Sequence, residues 1–273
     1  MSFSFNEPEQ HRARKRFGQN FLHDKNVINR IVEAIDPKVG DDLLEIGPGL
    51  GALTAPLLSA AQKLHAVEID RDLIARLPGA MAPYGELTLH ELDALKMQLA
   101  EVLPAADKVR VVGNLPYNIS TPILFHLCDQ TERIRDMHFM LQKEVVERMA
   151  AAPGNKTYGR LSIMLQYHCK VVPLFIVPPG AFQPPPKVQS AIIRLVPHAS
   201  APYPIGDYGL FSKLVNQAFT QRRKTLRNAV SNLATVEQIG AAELDPSSRP
   251  ENLSGEEFGR LASVVWQHQQ ANR

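Results

Sequence analysis

From residue 26 to residue 197 the chain alternates short apolar runs with helical patterns, a rhythm that few architectures can absorb. NVINRIVEAI sets Val27, Ile28, Ile31, Val32 and Ile35 at helical spacing, and DLLEIG follows as a first strand. LGALTAPLLSAAQ then places Leu50, Leu53, Leu57 and Leu58 on one helix face. KLHAVEID, a helix from Arg71, LTLHELD and KVRVVGN continue the alternation. In STPILFHLCDQ, Ser120 is placed to cap a helix and Pro122 sits in the first turn, where proline is tolerated. MHFMLQ, a helix from Lys143, a helix through RLSIMLQYH and two β-rich runs, CKVVPLFIV and SAIIRLV, complete the pattern. Strands that are apolar along their whole length need cover on both faces, so the expected class is α/β with a mainly parallel sheet. The last two strands need not be parallel.

Between residues 197 and 208 the run PHASAPYPIGDY holds three prolines and no periodicity, and beyond it helical patterns follow one another without strands. The expected division is therefore a sheet domain over 1–200 and a small helical domain over 201–273. A length of 273 residues with 44% hydrophobic content is enough for both. Two cysteines, Cys128 and Cys169, lie far apart without C-x-x-C spacing, so neither a disulfide framework nor a zinc cluster is expected. His65, His126 and His138 are scattered, and no metal is expected. No apolar run approaches the roughly 18 to 20 residues that span a bilayer, and MSFSFNEPEQ has no signal-peptide core, so a soluble, cytoplasmic protein is expected. The net charge of +2 is mild, but basic residues gather in HRARKR and QRRKTLR.

LLEIGPGLGALT places Gly47, Gly49 and Gly51 directly after a strand and before a helix, where a glycine turn lets the backbone approach a cofactor. The letters also satisfy G-x-G-x-x-A through Ala52, and Glu68 closes the next strand at about the 20-residue separation of a ribose-binding carboxylate. A nicotinamide oxidoreductase is thus one reading, and a tight turn beside a solvated carboxylate is another. Two more polar residues bear on the choice: Asp93 ends the third strand and Asn114 the fourth. In an open parallel sheet the ligand crevice lies outside the carboxyl ends of the strands, so all four positions should line one cleft. Dinucleotide enzymes use the first two and give no reason for Asn-Leu-Pro-Tyr.

This combination resembles the class I S-adenosylmethionine (SAM) methyltransferases, a Rossmann-like fold. The resemblance implies that Gly47 and Gly49 pass the methionine part, that Glu68 takes the ribose hydroxyls and that Asp93 meets the adenine amine. Alone, Asn-Leu-Pro-Tyr is a turn, since asparagine and proline are ordinary turn formers. Methylation of an exocyclic amine on a base gives it another use. Such a nitrogen is a poor nucleophile because its lone pair is delocalised, so a site must hold its N–H bonds and aim the lone pair. Asn114 offers a side-chain oxygen and the turn at Leu115 a backbone carbonyl. Pro116 biases Leu115 to an extended geometry and removes a competing N–H. Tyr117 offers a flat face, and stacking is worth about 1 to 3 kcal/mol per base.

RKRFGQNFL, EIGPGLGALT, VEID, GNLPYNISTPILFHL, MLQKEVVERM, YGRLSIMLQY, PPGAFQPPPKVQSAIIRL and AFTQRRKTLRN occur in this order from about residue 14 to the C-terminal helices. Together they resemble the small-subunit (16S) ribosomal RNA adenine dimethyltransferases, the KsgA/RsmA family. The resemblance implies SAM-dependent dimethylation of two adjacent adenosines in a hairpin loop near the 3′ end of 16S ribosomal RNA, within an assembling ribosomal subunit, by a monomer. It makes Asn20 and Leu22 cofactor contacts beside Asn114. It sets Phe182 near the target base, opposing Tyr117, with a simply buried phenylalanine as the equal alternative. Arg14, Lys15, Arg16, Arg223, Lys224 and Arg227 suit RNA phosphates, although a charge run can be just a solvated face. Arg222 falls on an apolar stripe with Val215, Ala218, Phe219 and Leu226, so it is expected to pair with a carboxylate. The competing class is a non-catalytic RNA-binding assembly factor on the same fold.

Overall fold

A computed structural model describes residues 20–271. In chain order its elements are β1 (Phe21–Leu22), α1 (Lys25–Ile35), β2 (Leu43–Ile46), α2 (Thr54–Ala61), β3 (Lys63–Glu68), α3 (Arg71–Met81), β4 (Glu86–Glu91), α4 (Leu99–Val102) and β5 (Val109–Asn114). There follow α5 (Ser120–Cys128), β6 (Ile134–Gln142), α6 (Lys143–Met149), α7 (Arg160–His168), β7 (Cys169–Val177), β8 (Phe182–Gln183) and β9 (Ser190–Pro197). The chain ends in α8 (Tyr208–Thr220), α9 (Leu226–Ala229), α10 (Val236–Ala241) and α11 (Gly255–Ala271).

The main sheet has the order β4-β3-β2-β5-β6-β9-β7. Neighbours from β4 to β6 run parallel, and β9 lies antiparallel to both β6 and β7. This is the α/β architecture that the alternation implied. Each face is covered by its own apolar cluster. Val109, Val111, Phe139 and Leu141 pack with Ile123, Leu124 and Leu127 of α5 on one side. Val112, Met140 and Ile192 pack with Ile31 and Ile35 of α1 and Leu57 and Leu58 of α2 on the other. The chain builds outward from β2 through β3 to β4, then returns to β5 on the other flank of β2. The order reverses between β2 and β5, which is where such sheets open a crevice. Gly113 makes the closing possible, because a Cβ there would stand 2.6 Å from the Ile46 carbonyl oxygen of β2.

The C-terminal helices gather Phe211, Leu214, Val215, Phe258 and Leu261 into a further core that Tyr158, Ile163 and Met164 join from the α7 region. No helix among the described residues is long and apolar enough to cross a membrane.

Several local expectations are corrected. Leu50 is not on the helix face; it stands in the turn before α2 and is 38% exposed. Ser120 does not cap α5 but lies inside it, its Oγ donating to the Tyr117 carbonyl at 3.2 Å. The segment QRRKTLRN does not continue α8, which stops at Thr220; the Leu226 and Arg227 N–H groups bond instead to the Ser248 and Pro246 carbonyls. Arg222 therefore lies on no helical stripe, yet it does find a carboxylate, Glu251, and reaches the Asn155 carbonyl. RFGQNFL, whose spacing reads only as a lead-in to a helix, contributes β1, which pairs antiparallel with β8 through Phe21↔Gln183 and Leu22↔Phe182.

Candidate active site

At the carboxyl edge of the sheet a cavity of about 290 Å³ is lined by Asn20, Gly47, Gly49, Glu68, Asp93, Asn114, Leu115 and Tyr117, joined by Phe21, Ile69, Leu95, Pro116, Asn118 and Ile119. The four strand-end positions read from the sequence thus meet in one place. The reason is topological: parallel strands present their carboxyl ends at one edge, and the reversal between β2 and β5 leaves room there.

Gly47 follows β2 with φ +69°, a conformation side chains rarely adopt, and its N–H bonds the Val67 carbonyl at 2.9 Å. Glu68, at the end of β3, is 8% exposed. Its Oε1 accepts the Ile69 and Asp70 N–H groups at 2.8 and 2.9 Å, and the Gly49 N–H also bonds the carboxylate. Burial nevertheless raises its pKa, with Asp70 adding repulsion against those three donors. The carboxylate is therefore a strut between β3 and the glycine loop as well as a cavity wall. Asp93 accepts the Leu95 N–H at 3.0 Å and caps a short 3₁₀ turn, residues 94–96.

Asn114 Nδ2 donates to the Asn20 carbonyl at 3.2 Å. A carbonyl needs a donor, so this contact commits the NH₂ end and leaves Oδ1 as the end for a ligand. The Leu115 N–H is taken by the Met140 carbonyl of β6 at 3.2 Å, which fixes the turn to the sheet. Tyr117 is half-buried, and its hydroxyl meets Ser190 Oγ at 2.6 Å. Burial raises the phenol pKa while the serine contact lowers it, so the phenol stays protonated.

Two expected site residues lie elsewhere. Phe182 is only 2% exposed and does not line the cavity; it packs in the cluster that holds Leu22, Val112 and Met140. The clamp expected between Phe182 and Tyr117 is not formed, because the β1–β8 pairing turns this ring into the core. Leu22 is buried in the same cluster, and its neighbour Phe21 is the residue that faces the cavity, beside Gly49. Strand alternation explains the exchange, since successive side chains point to opposite faces. Arg223, Lys224 and Arg227 are exposed around the buried Leu226 and Ala229, open to a polyanion. Arg14, Lys15 and Arg16 lie outside the described residues.

Sequence reasoning also missed Glu45 and Ser190. Glu45 is 1% exposed in β2, where the Thr54 hydroxyl at the start of α2 donates to its Oε2 at 2.7 Å. Its signal was available: a single carboxylate in an otherwise apolar strand, directly before the glycines. No cluster of three metal-ligating side chains exists among the described residues.

A family model described as ribosomal RNA adenine dimethylase matches residues 10–266. The Ribosomal RNA small subunit methyltransferase A of Pseudomonas aeruginosa is 57% identical over 94% of this chain and 96% of its own. The protein of that name from Pseudomonas putida is 56% identical over 97% and 100%. Among solved structures, a dimethyladenosine transferase from Plasmodium falciparum superposes with a TM-score of 0.76 at 29% identity, covering 88% of this chain and 95% of that one. The 23S rRNA methyltransferase ErmE shares the fold, with a TM-score of 0.70 at 24% identity over 90% and 99%.

Proposed function

This chain belongs to the ribosomal RNA adenine dimethylase family, and from that premise we propose that it dimethylates the exocyclic amine of two adjacent adenosines in 16S ribosomal RNA. The residues present suit SAM as cofactor. A positive-φ glycine turn lets a ligand approach the backbone at Gly47, Glu68 offers a fixed carboxylate for ribose hydroxyls, and Asp93 stands where an adenine amine would be met. When bound there, SAM supplies an electrophilic methyl on its sulfonium.

The observation that carries the reading is the orientation of Asn114. With Nδ2 held by the Asn20 carbonyl, Oδ1 is the end that accepts an N–H from the target amine. The Leu115 carbonyl is a second acceptor, and Tyr117 supports the base by stacking. Holding the amine hydrogens favours a pyramidal nitrogen whose lone pair points toward the methyl donor. No general base is required, because the proton leaves once the nitrogen has become cationic. Arg223, Lys224 and Arg227, in the helical part from residue 201, grip RNA phosphates while an unpaired loop releases its adenosine into the cavity. The substrate form is an assembling small subunit, and the acting species is a monomer in the cytoplasm.

Incubation with SAM and undermethylated small subunits, followed by nucleoside analysis, should yield dimethyladenosine; its absence rejects the proposal. At saturating SAM, Asn114→Ala should lose about 3 kcal/mol of transition-state stabilisation, roughly a hundredfold in rate. Near-normal turnover in that variant would remove Asn114 from this role.

A further inference from the structure

The Tyr117 hydroxyl meets a residue at the start of β9, two strands along the sheet from β5. Ser190 is wholly buried at the first position of β9, with Gln142 of β6 and Val177 of β7 as its Cα partners. Its neighbour Gln189 accepts the Lys143 N–H through its carbonyl at 2.9 Å, and the Lys143 ammonium through Oε1 at 3.3 Å. The serine hydroxyl therefore stands on backbone fixed by two strands and by the start of α6. A buried hydroxyl without a partner is costly, and alanine would fit the same place without needing one. The partner here is the phenol, at 2.6 Å.

We infer that Ser190 is a positioning residue for methyl transfer, locking the Tyr117 ring before the base arrives. This rests on the reading that Tyr117 stacks on the target adenine. A tyrosine ring swings about its first side-chain torsion and spins about the Cβ–Oη axis through its second. Tethering the hydroxyl fixes the swing and so the place of the ring in the cavity, and that freedom is not lost again when the base binds. With Phe182 packed in the core, that ring does not oppose Tyr117 across the cavity, and the placing of the Tyr117 ring bears more of the stacking.

The two methyl transfers do not depend on this equally. Adenine offers two N–H bonds to Asn114 and Leu115, whereas the monomethylated amine keeps only one. Half of the polar hold is gone at the second transfer, and stacking must supply more of the orientation. Loss of the Ser190 tether therefore slows the second transfer more than the first.

The test is single-turnover methylation of undermethylated small subunits by Ser190→Ala, Tyr117→Phe and the double variant, with monomethyladenosine and dimethyladenosine quantified and the SAM Kd measured by calorimetry. Each single variant should slow the second transfer roughly tenfold, accumulate monomethyladenosine and leave the SAM Kd unchanged. The double variant should be no worse than either single one, because both remove one contact. Additive losses, an equal loss in both transfers, or wild-type products from Ser190→Ala would each overturn the inference. If Ser190→Ala does not fold, Tyr117→Phe alone must still give monomethyladenosine accumulation. Tyr117→Ala separates the two readings: wild-type rates in that variant overturn the stacking itself, whereas an inactive Tyr117→Ala beside a fully active Ser190→Ala overturns only the role of Ser190.

Discussion

Replacing Glu45 with glutamine should remove a pH-dependent weakness from the centre of the sheet. The carboxyl is 1% exposed beneath the glycine loop, and burial pushes its pKa from 4.5 up to about 7. The Thr54 hydroxyl opposes that rise, and the charge of Glu68 adds to it. Between these two values the native state keeps a proton that the unfolded chain has lost. Stability is therefore complete below about pH 4.5 and falls as pH rises toward 7. At about 1.4 kcal/mol per pH unit, the displacement from 4.5 to about 7 amounts to about 3 kcal/mol. Glutamine keeps the shape and the acceptor for Thr54 and has no ionisation. Urea unfolding of both proteins at pH 5, 6, 7 and 8 and constant ionic strength, followed by far-ultraviolet circular dichroism, isolates the effect as a difference. Glu45→Gln should stand within about 1 kcal/mol of the wild type near pH 5 and exceed it by about 3 kcal/mol near pH 8. Parallel stability curves for the two proteins would show that Glu45 does not carry the buried charge assigned to it.

The basic cluster after α8 should divide into two behaviours. Arg222→Ala, which breaks the partly buried pair with Glu251, should lower stability by about 0.5 to 1 kcal/mol and leave the salt dependence of RNA binding unchanged. Arg223→Ala, Lys224→Ala and Arg227→Ala should each reduce the slope of log affinity against log salt by about 1 in a filter-binding titration, with unchanged melting temperatures. The opposite assignment of the two effects would reverse this division. Cys128 and Cys169, both buried, contact each other through their thiols, and that contact together with burial drives the Cys128 pKa upward. Iodoacetamide should accordingly leave Cys128 unmodified in the native protein at pH 8 and alkylate it in guanidinium, as mass spectrometry would report.

Most of the cavity was legible in the chain itself. Gly47, Glu68, Asp93 and Asn114 each stand at or just beyond a strand end, and a strand is a local object recognisable from a few consecutive apolar residues. Parallel topology then places those ends on one edge without further information, so four local assignments suffice to predict one cleft. The helical character of the C-terminal part was visible for the same reason, through periodicity within single segments.

What only the tertiary structure decided are the contacts between segments distant in sequence. Phe182 turned inward and Phe21 outward because a two-residue pairing of β1 with β8 sets their alternation, and two residues carry no periodic signal. Ser190 reaches Tyr117 across 73 positions, and Cys128 meets Cys169 although their spacing forms no motif. Arg222 found a carboxylate, but on a segment outside any helix rather than on an apolar stripe, because α8 ends at Thr220 and Glu251 lies within reach there. Local composition determines which groups need partners, because a polar atom buried without one is costly wherever it lies. Register and packing between distant elements determine which partner each one gets.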